Sequence, residues 1–401
     1  MNSSSTNRFD FFDLKFIFIF LSIYFVLIPF LFDINLDSVI TVCVVFSGIF
    51  FFLLGYTSNK KLSLPGHYDS VPITLSFQTI GCAFLFWDFL SGVNNLWSVI
   101  NAGNYTASYR VLNFNAIYIQ IPLLALSYLK YYCYAMIMAR NKLVYFVVFV
   151  IQVSLFYNSP ARLVALSPFF IFIVYGYYMG YLKVTYVRLF IILLFSPFLM
   201  VILLVSRRPT NGEHYFQIIL NTIHDLDLQS FSDILSTALE SFQSFNTLTK
   251  IVIDSFIHLE SGILRIIFMP ISRSIWEDKP ESISRVISKE YIPDQYENGG
   301  GSVATVFGDA FINGHVFGVV FLLFFLGLFS KILYNSIKDR FNLVREKQSF
   351  VCILYSLYFY QFLFILRGFF SESIWKILLL FLVFFLLHKI QFYGSTRKKK
   401  A

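Results

Sequence analysis

The stretch LKFIFIFLSIYFVLIPFLF, from Leu14 to Phe32, contains a single charged residue, Lys15. Its length matches the roughly 20 residues that an α-helix needs to cross the apolar core of a bilayer. The whole chain of 401 residues is 57% hydrophobic and only 13% charged, and its mean hydropathy is +0.69. Soluble domains carry about 25% charged residues. The sequence therefore predicts an all-α integral membrane protein.

Hydrophobic runs near the spanning length occur along the whole chain, and ten of them are predicted as transmembrane helices. The longest interruption, Ser206 to Ser302, separates the seventh run from the eighth. The chain thus divides into membrane helices over residues 1–205, a large loop over 206–302, and further membrane helices with a basic tail over 303–401. The ten runs are Leu14 to Phe32, Leu36 to Tyr56, Val71 to Gly92, Val111 to Leu129, Leu143 to Tyr157, Ala161 to Leu182, Val187 to Val205, Val303 to Ile332, Phe350 to Leu366 and Ser373 to Leu387.

The orientation follows from the placement of Lys and Arg. Basic residues follow the even-numbered runs, for example Lys60 and Lys61 after the second and Lys130 after the fourth, and they are scarce after the odd-numbered ones. Because cytoplasmic connections retain positive charge, both termini are predicted to be cytoplasmic and the large loop to lie outside. The net charge of +8 then reflects membrane orientation rather than nucleic-acid binding.

The large loop contains a predicted amphipathic helix from Phe231 to Glu260, in which apolar residues recur every three or four positions. We expect this helix to lie on the outer leaflet or to cap a cavity among the membrane helices. The four cysteines show neither a disulfide framework nor the spacing of a metal site, so no metal is expected.

Three motifs at the end of the loop and beyond it carry a family resemblance: PISRSIWEDKP at 270–280, GGGSVATVFGDAFINGHVFG at 299–318 and LRG at 366–368. Together with the large loop late in the chain, they resemble the Wzy-type polymerases of O-antigen and capsular oligosaccharide repeat units. The resemblance covers about residues 158 to 370 and departs from the family pattern at NSPARL, 158–163. It implies a polytopic glycosyltransferase (GT-C-like) architecture in the bacterial cytoplasmic membrane, without a cofactor.

The resemblance also implies a reaction. A growing glycan on undecaprenyl diphosphate would be transferred to the non-reducing end of another lipid-linked repeat unit, with a flippase and a chain-length regulator as further partners. One alternative is an O-antigen ligase, which transfers the same donor to lipid A core sugars. A second alternative is a lipid-linked oligosaccharide flippase or another transporter. The long loop and the near-absence of charge within the first five runs argue against transport.

An anionic lipid-linked substrate calls for arginine, whose planar guanidinium group binds phosphate oxygens in pairs and stays charged. Arg162 is the predicted catalytic arginine, because a Ser-Pro pair starts the sixth run and places Arg162 beside the free amides of a first helical turn. Arg367 ends the ninth run at the same face. Each of the two binds substrate phosphate or extends to lipid phosphate instead. Arg207 and Arg208 are either further substrate contacts or simple outer-edge charges.

The predicted base for the acceptor hydroxyl is Asp309. If the eighth run is a helix from Ser302, then Ser302, Thr305, Asp309 and Asn313 share one face. Asp309 would lie about 10 Å into that helix, and ionisable groups at such depth are functional candidates by default. Asn313 is expected to contact substrate. The alternative is a structural aspartate that pairs with an arginine on a neighbouring helix.

In PISRSIWEDKP, the two prolines are expected to stiffen a turn at the membrane surface. Trp276 is expected to anchor this turn among lipid headgroups or to stack on a sugar ring. Arg273 and Lys279 are expected to face the anionic substrate. The alternative is an interfacial loop with an aromatic anchor and no substrate contact.

Overall fold

The computed structural model describes the chain in segments. All regular secondary structure in these segments is helical. Six of the helices are long and apolar enough to cross a membrane, so the prediction of an all-α membrane protein is confirmed. The described residues are 10–58, 75–102, 117–139, 141–154, 166–183, 185, 240–269, 271, 276, 278–297, 300–338 and 345–398.

The part of the chain before the large loop contributes helices α1 to α6. The middle of α1 is a π-helical turn, Ile23–Leu27, directly before the segment that contains Pro29. Because proline lacks an N–H and its ring crowds the preceding turn, Pro29 accounts for this irregular hydrogen bonding. The helices are α1 (Leu14–Phe32), α2 (Leu36–Ser58), α3 (Leu75–Ala102), α4 (Ile117–Met138), α5 (Lys142–Ser154) and α6 (Ser167–Tyr178).

The remainder contributes helices α7 to α14, of which α7 to α10 belong to the predicted large loop. A π-helical turn, Glu260–Leu264, leads into α8. The helices are α7 (Glu240–Ile253), α8 (Arg265–Phe268), α9 (Ile283–Tyr291), α10 (Pro293–Glu297), α11 (Thr305–Ile312), α12 (His315–Lys338), α13 (Arg345–Arg367) and α14 (Phe370–Lys398).

The number of ten spans stays a prediction. The predicted seventh span, Val187 to Val205, lies outside the described residues, as does the start of the sixth. Helices α5 and α6 are apolar but comprise only 13 and 12 residues. Both are shorter than the roughly 20 residues that cross a bilayer.

The predicted eighth span, Val303 to Ile332, is wrong as a single helix. The chain forms α11, turns at Asn313 and Gly314, and starts again as α12. Phe307 of α11 and Leu323 of α12 both approach Gly48 of α2. Because these two residues lie eight positions before and after His315, α11 folds back along α12. The hairpin places Asp309 beside a spanning helix rather than within one.

Helices α2 and α12 pack with their backbones in close contact. A Cβ atom added at Gly327 would lie 2.1 Å from the carbonyl oxygen of Phe52, and one added at Gly55 would lie 2.1 Å from that of Phe324. Small residues let two helix backbones approach within a membrane, where packing rather than water exclusion drives association. This contact therefore excludes any side chain larger than hydrogen.

The outer surface of the bundle is apolar. On α12, Phe317, Phe321 and Phe325 recur every four residues and are 75%, 60% and 58% exposed. An extended apolar surface of this kind is typical of contact with lipid.

Two lysines of α12 and the loop helix α7 lie at opposite ends of the spanning helices. Lys331 and Lys338 lie near the C-terminal ends of α2 and α12, where the Lys331 ammonium is 4.7 Å from the ring centre of Tyr56. At the other end of α1, the ring of Phe32 packs edge-on against Phe242 of α7 at 5.6 Å. The charge pattern predicts this separation, and the orientation in a membrane stays a prediction.

The predicted amphipathic helix, Phe231 to Glu260, is observed as α7 and ends earlier, at Ile253; residues 231–239 lie outside the described chain. Its apolar face, with Phe245, Leu248 and Ile251, is buried against α1, α2 and α11. Its exposed positions include Gln243 and Lys250. Helix α7 therefore packs onto the membrane helices and supports the back of α11.

We expect Gly327→Ala to destabilise the protein by about 1–3 kcal/mol, because the added methyl group pushes α12 away from the Phe52 carbonyl. The measurement is the midpoint of thermal unfolding of the purified protein in detergent. Phe325→Ala, on the exposed face of the same helix, is the control and should leave the midpoint nearly unchanged. Equal midpoints for both variants would show that the close contact is not needed.

Candidate functional site

The candidate site is centred on Asp309, where α11 meets the turn between α13 and α14. Asp309 is only 2% exposed, and its Oδ2 accepts a hydrogen bond of 2.8 Å from the backbone N–H of Phe370, the first residue of α14. The N-terminus of a helix carries unpaired N–H groups and a partial positive charge. Asp309 therefore caps α14 from a different helix.

A glycine makes this close approach feasible. Gly368, in the turn before α14, has a φ of +106°, which only glycine adopts readily. A Cβ atom at this position would lie 3.1 Å from both the backbone nitrogen and the oxygen of Thr305. The LRG motif thus brings the α13–α14 turn directly onto the start of α11.

Charged groups of both signs surround the start of α14. The Arg265 guanidinium lies 3.9 Å from a carboxylate oxygen of Glu372, and the two side chains are 15% and 30% exposed. Glu372 is also close enough to Asp309 for the two carboxylates to interact. The indole N–H of Trp375 donates to the carbonyl of Ile266. These contacts dock α8 onto the first two turns of α14.

Arg367, a predicted substrate contact, is the last residue of α13 and lies beside this cluster. Its guanidinium carbon is 5.8 Å from the ring centre of Phe369, within the range of a cation–π interaction. Asp309 contacts Phe370 and Arg367 contacts Phe369, so these two predicted site residues lie at the same α13–α14 turn. A carboxylate and guanidinium groups at one turn are the components needed to accept a proton and to bind an anion.

Asn313 connects the candidate site to the loop. Its Oδ1 accepts from the N–H of Ile263 at 2.8 Å, and its amide nitrogen donates to the Asp309 carbonyl at 2.7 Å. A Cβ atom at Gly262 would lie 1.7 Å from that Oδ1, so the contact requires glycine. Both polar atoms of the Asn313 side chain are engaged within the protein, and its predicted contact with substrate stays a prediction.

Lys279 anchors the described residues of PISRSIWEDKP. This side chain is buried, and its ammonium donates to the carbonyls of Met269 and Ile271 at 2.9 and 2.8 Å. Because Met269 follows the last residue of α8, the positive charge stabilises that end of the helix. Trp276 packs edge-on against Phe268 at 5.3 Å. The geometry gives both residues a structural role here, and their predicted substrate contacts stay predictions.

Four predicted site residues lie outside the described chain: Arg162, Arg207, Arg208 and Arg273. Two members of the observed cluster, Arg265 and Glu372, were not among the predicted site residues. Arg265 interrupts the apolar patch GILRIIFMPIS, and an arginine in such a patch was an available signal. Glu372 had none, because it lies close to Asp309 only after the chain has folded.

A second polar cluster lies among the membrane helices. Asp88 of α3 forms an ion pair of 2.9 Å with Lys130 of α4, and the same carboxylate oxygen accepts from the hydroxyl of Tyr134 and the side-chain amide of Gln152 on α5. Asp88 and Gln152 are buried. The placement of Lys130 in an inner connection is wrong: Lys130 lies inside the candidate span Ile121–Met138. The ion pair with Asp88 offsets the free-energy cost of a charged lysine among the membrane helices.

A third polar cluster ties the N-terminal segment to the opposite end of the bundle. The Asp10 carboxylate accepts from the hydroxyls of Tyr334 and Tyr178 and from the N–H of Phe12. Burial raises the pKa of Asp10 above its ordinary value, and these hydrogen bonds oppose that shift. Asp13, the N-cap of α1, accepts from the hydroxyl of Tyr56 at 2.6 Å. These contacts fix the start of α1.

No group of three or more metal-ligating side chains that could hold an ion occurs within the described segments. Comparison with protein-family models, with curated proteins and with solved structures finds no match to this chain. Its function is therefore inferred from its own residues and from the motif resemblance.

We expect Asp88→Asn to destabilise the protein by about 3–5 kcal/mol, because it leaves the Lys130 ammonium buried without a countercharge. Lys130→Met should also destabilise the protein. The double variant should lose less than the sum of the two single losses, since the pair is removed together. Thermal unfolding of the four proteins in detergent gives this double-mutant cycle. Strictly additive losses would contradict an energetic coupling between the two side chains.

Proposed function

We propose that the protein is a membrane-embedded glycosyltransferase that polymerises polyprenyl-diphosphate-linked oligosaccharide repeat units, as in the Wzy-type polymerases. The observation that carries this proposal is the position of Asp309. This carboxylate lies close to Glu372 and to the end of α13, which is Arg367, at the loop end of the spanning helices. A substrate with its tail in lipid presents its diphosphate at such a level.

The proposed reaction assigns a role to each group. The acceptor hydroxyl gives its proton to Asp309 while its oxygen bonds to the anomeric carbon of the donor glycan. The bond between that carbon and the diphosphate oxygen breaks, and polyprenyl diphosphate leaves with the bonding electrons. Arg265 and Arg367 would stabilise the negative charge on the departing group. Both substrates are held by lipid in the same membrane, which favours their encounter.

The orientation is part of the proposal. The basic end of the bundle, with Lys331 and Lys338, would face the cytoplasm of a bacterial cell, in accordance with the charge preference of cytoplasmic loops. The loop helices would then lie at the outer face of the cytoplasmic membrane. A flippase and a chain-length regulator would be functional partners there.

Two other functions remain alternatives. An O-antigen ligase would use the same donor and the same cluster but a different acceptor. A flippase or another transporter is favoured by one observation, the ion pair of Asp88 with Lys130 inside the membrane helices. Intramembrane ionisable groups are frequent in transport pathways. The near-absence of charge in the first five predicted spans argues against transport. The Asp88–Lys130 pair weakens that argument, because it places two charges among these helices.

Deletion of the gene is expected to leave glycan of one repeat unit on its carrier or on lipid A core, because polymerisation stops while synthesis, export and ligation continue. Gel electrophoresis of the extracted glycans measures chain length. The control is restoration of long chains by the plasmid-borne gene. Loss of all attached glycan would favour a ligase, and repeat units confined to the inner leaflet would favour a flippase.

In the deletion strain, Asp309→Asn is expected to reduce polymer formation about 10²- to 10⁴-fold, the usual effect of removing a general base. Asparagine keeps an oxygen that can accept from Phe370, so the amount of protein in the membrane should not change. Chain length is measured at equal protein abundance. Asp37→Asn, the same substitution at an exposed position at the start of α2, is the matched control. Wild-type chain lengths with Asp309→Asn would exclude Asp309 as the base.

A further inference from the structure

Glu372 interacts with charged side chains of three helices. It lies in the first turn of α14, and its carboxylate is 3.9 Å from the guanidinium of Arg265 on α8. It is also close enough to Asp309 on α11 and to Lys376, about one turn further along α14, for electrostatic interaction. Asp309 is bound to the N–H of Phe370, two positions before Glu372. Glu372 therefore lies at the centre of the charged cluster.

The two carboxylates of the cluster lie in different surroundings. Asp309 is 2% exposed, whereas the Glu372 side chain is 30% exposed and has Arg265 and Lys376 beside it. Burial opposes the ionisation of a carboxyl group, and a neighbouring cation favours it. The ion pair with Arg265 requires the ionised form of Glu372. A negative charge therefore lies beside Asp309, which is the more buried of the two carboxylates.

These surroundings raise the affinity of Asp309 for a proton. Burial raises the pKa of Asp309 to about 8, the hydrogen bond from Phe370 opposes this shift, and the negative charge of Glu372 adds to it. A like charge at close range disfavours ionisation of a carboxyl group. A general base is most effective when its pKa lies near the working pH. The position of Glu372 thus bears directly on the proposed base.

Other titratable groups near α11 do not supply this negative charge. Arg367 ends α13 at the same turn, Lys250 on α7 is exposed, and His315 starts α12. All three are basic residues. Within the described part of the chain, Glu372 is thus the neighbouring carboxylate that acts on Asp309.

We propose that Glu372 is a positioning residue of the site, which holds the Arg265 guanidinium at the start of α14 and, by its negative charge, makes Asp309 a stronger base. It acts through these two side chains rather than on the reacting atoms. Its use in glycosyl transfer rests on the proposed function, whereas its action on Asp309 rests on the charged cluster itself.

The action on Asp309 can be measured without an activity assay. Infrared spectra of the full-length protein in lipid nanodiscs, recorded over a pH series, follow the C=O stretch of the protonated Asp309 carboxyl group, which is identified by its loss in Asp309→Asn. In the parent protein this band should disappear with a midpoint of about pH 8. In Glu372→Gln the midpoint should fall by about one pH unit, because the ionised form is no longer repelled.

Glu290→Gln, the same substitution at an exposed position of α9, is the matched control and should leave the midpoint unchanged. An unchanged midpoint in Glu372→Gln would overturn the proposal. Absence of the Asp309 band from the parent protein at every pH would overturn it as well, since Asp309 would then be ionised throughout.

Two further variants separate the effect of charge from that of structure. Glu372→Asp keeps the negative charge and should keep the midpoint near that of the parent. Arg265→Gln removes the ion pair but keeps the charge of Glu372, so the midpoint should not fall. If it falls as far as in Glu372→Gln, loss of the contact between α8 and α14 explains the shift, and the role assigned to the charge of Glu372 is wrong.

Polymer formation in membranes of the complemented deletion strain tests the link to the proposed function. In Glu372→Gln, the pH of half-maximal polymer formation should fall by the same amount as the infrared midpoint, because ionised Asp309 is the active form. A shifted infrared midpoint together with wild-type chain lengths in Asp309→Asn would exclude Asp309 as the base and leave the action of Glu372 on Asp309 intact. A missing infrared shift would refute that action alone.

Discussion

The backbone N–H of Phe370 imposes a constraint on the whole loop end of the molecule. It starts a helix of 29 residues and lies inside the protein, where an unpaired N–H group is costly. The chain satisfies it with Asp309, which requires α11 to fold back into the bundle and to reach the α13–α14 turn. This contact is supported by Gly368, by the turn at 313–315 and by the packing of α7 behind α11.

The apolar runs made most of the fold predictable, because in a membrane each helix satisfies its own hydrogen bonds and is marked by local composition alone. The prediction of a single helix over the eighth run was wrong for the same reason, because it relied on local composition alone. Its apolar character continues through Asn313 and Gly314, although an Asn-Gly pair is a turn signal. The break follows from the contacts of α11 with α7, α12 and α13, which no local pattern contains.

The site was predictable in part. Asp309 stood out because a carboxylate within an apolar run needs a reason to be there. Its partner, the backbone N–H of Phe370, did not stand out, because a hydrogen bond to a backbone group 61 residues away leaves no mark on the sequence. Lys130 shows the converse: a lysine at the edge of an apolar run resembles a loop residue until its partner Asp88, 42 residues away, is known. In both cases the role of the side chain depends on a partner that is distant in the sequence.

The contact between Asp309 and α14 also bears on the proposed chemistry. A carboxylate that caps a helix is stabilised as an anion by the partial positive charge at the N-terminus, and this stabilisation makes it a weaker base. Burial, together with the nearby Glu372 carboxylate, raises the pKa of Asp309, and the hydrogen bond from Phe370 opposes this shift. If Asp309 has the proposed role, its basicity comes from burial, and the contact with α14 limits that basicity.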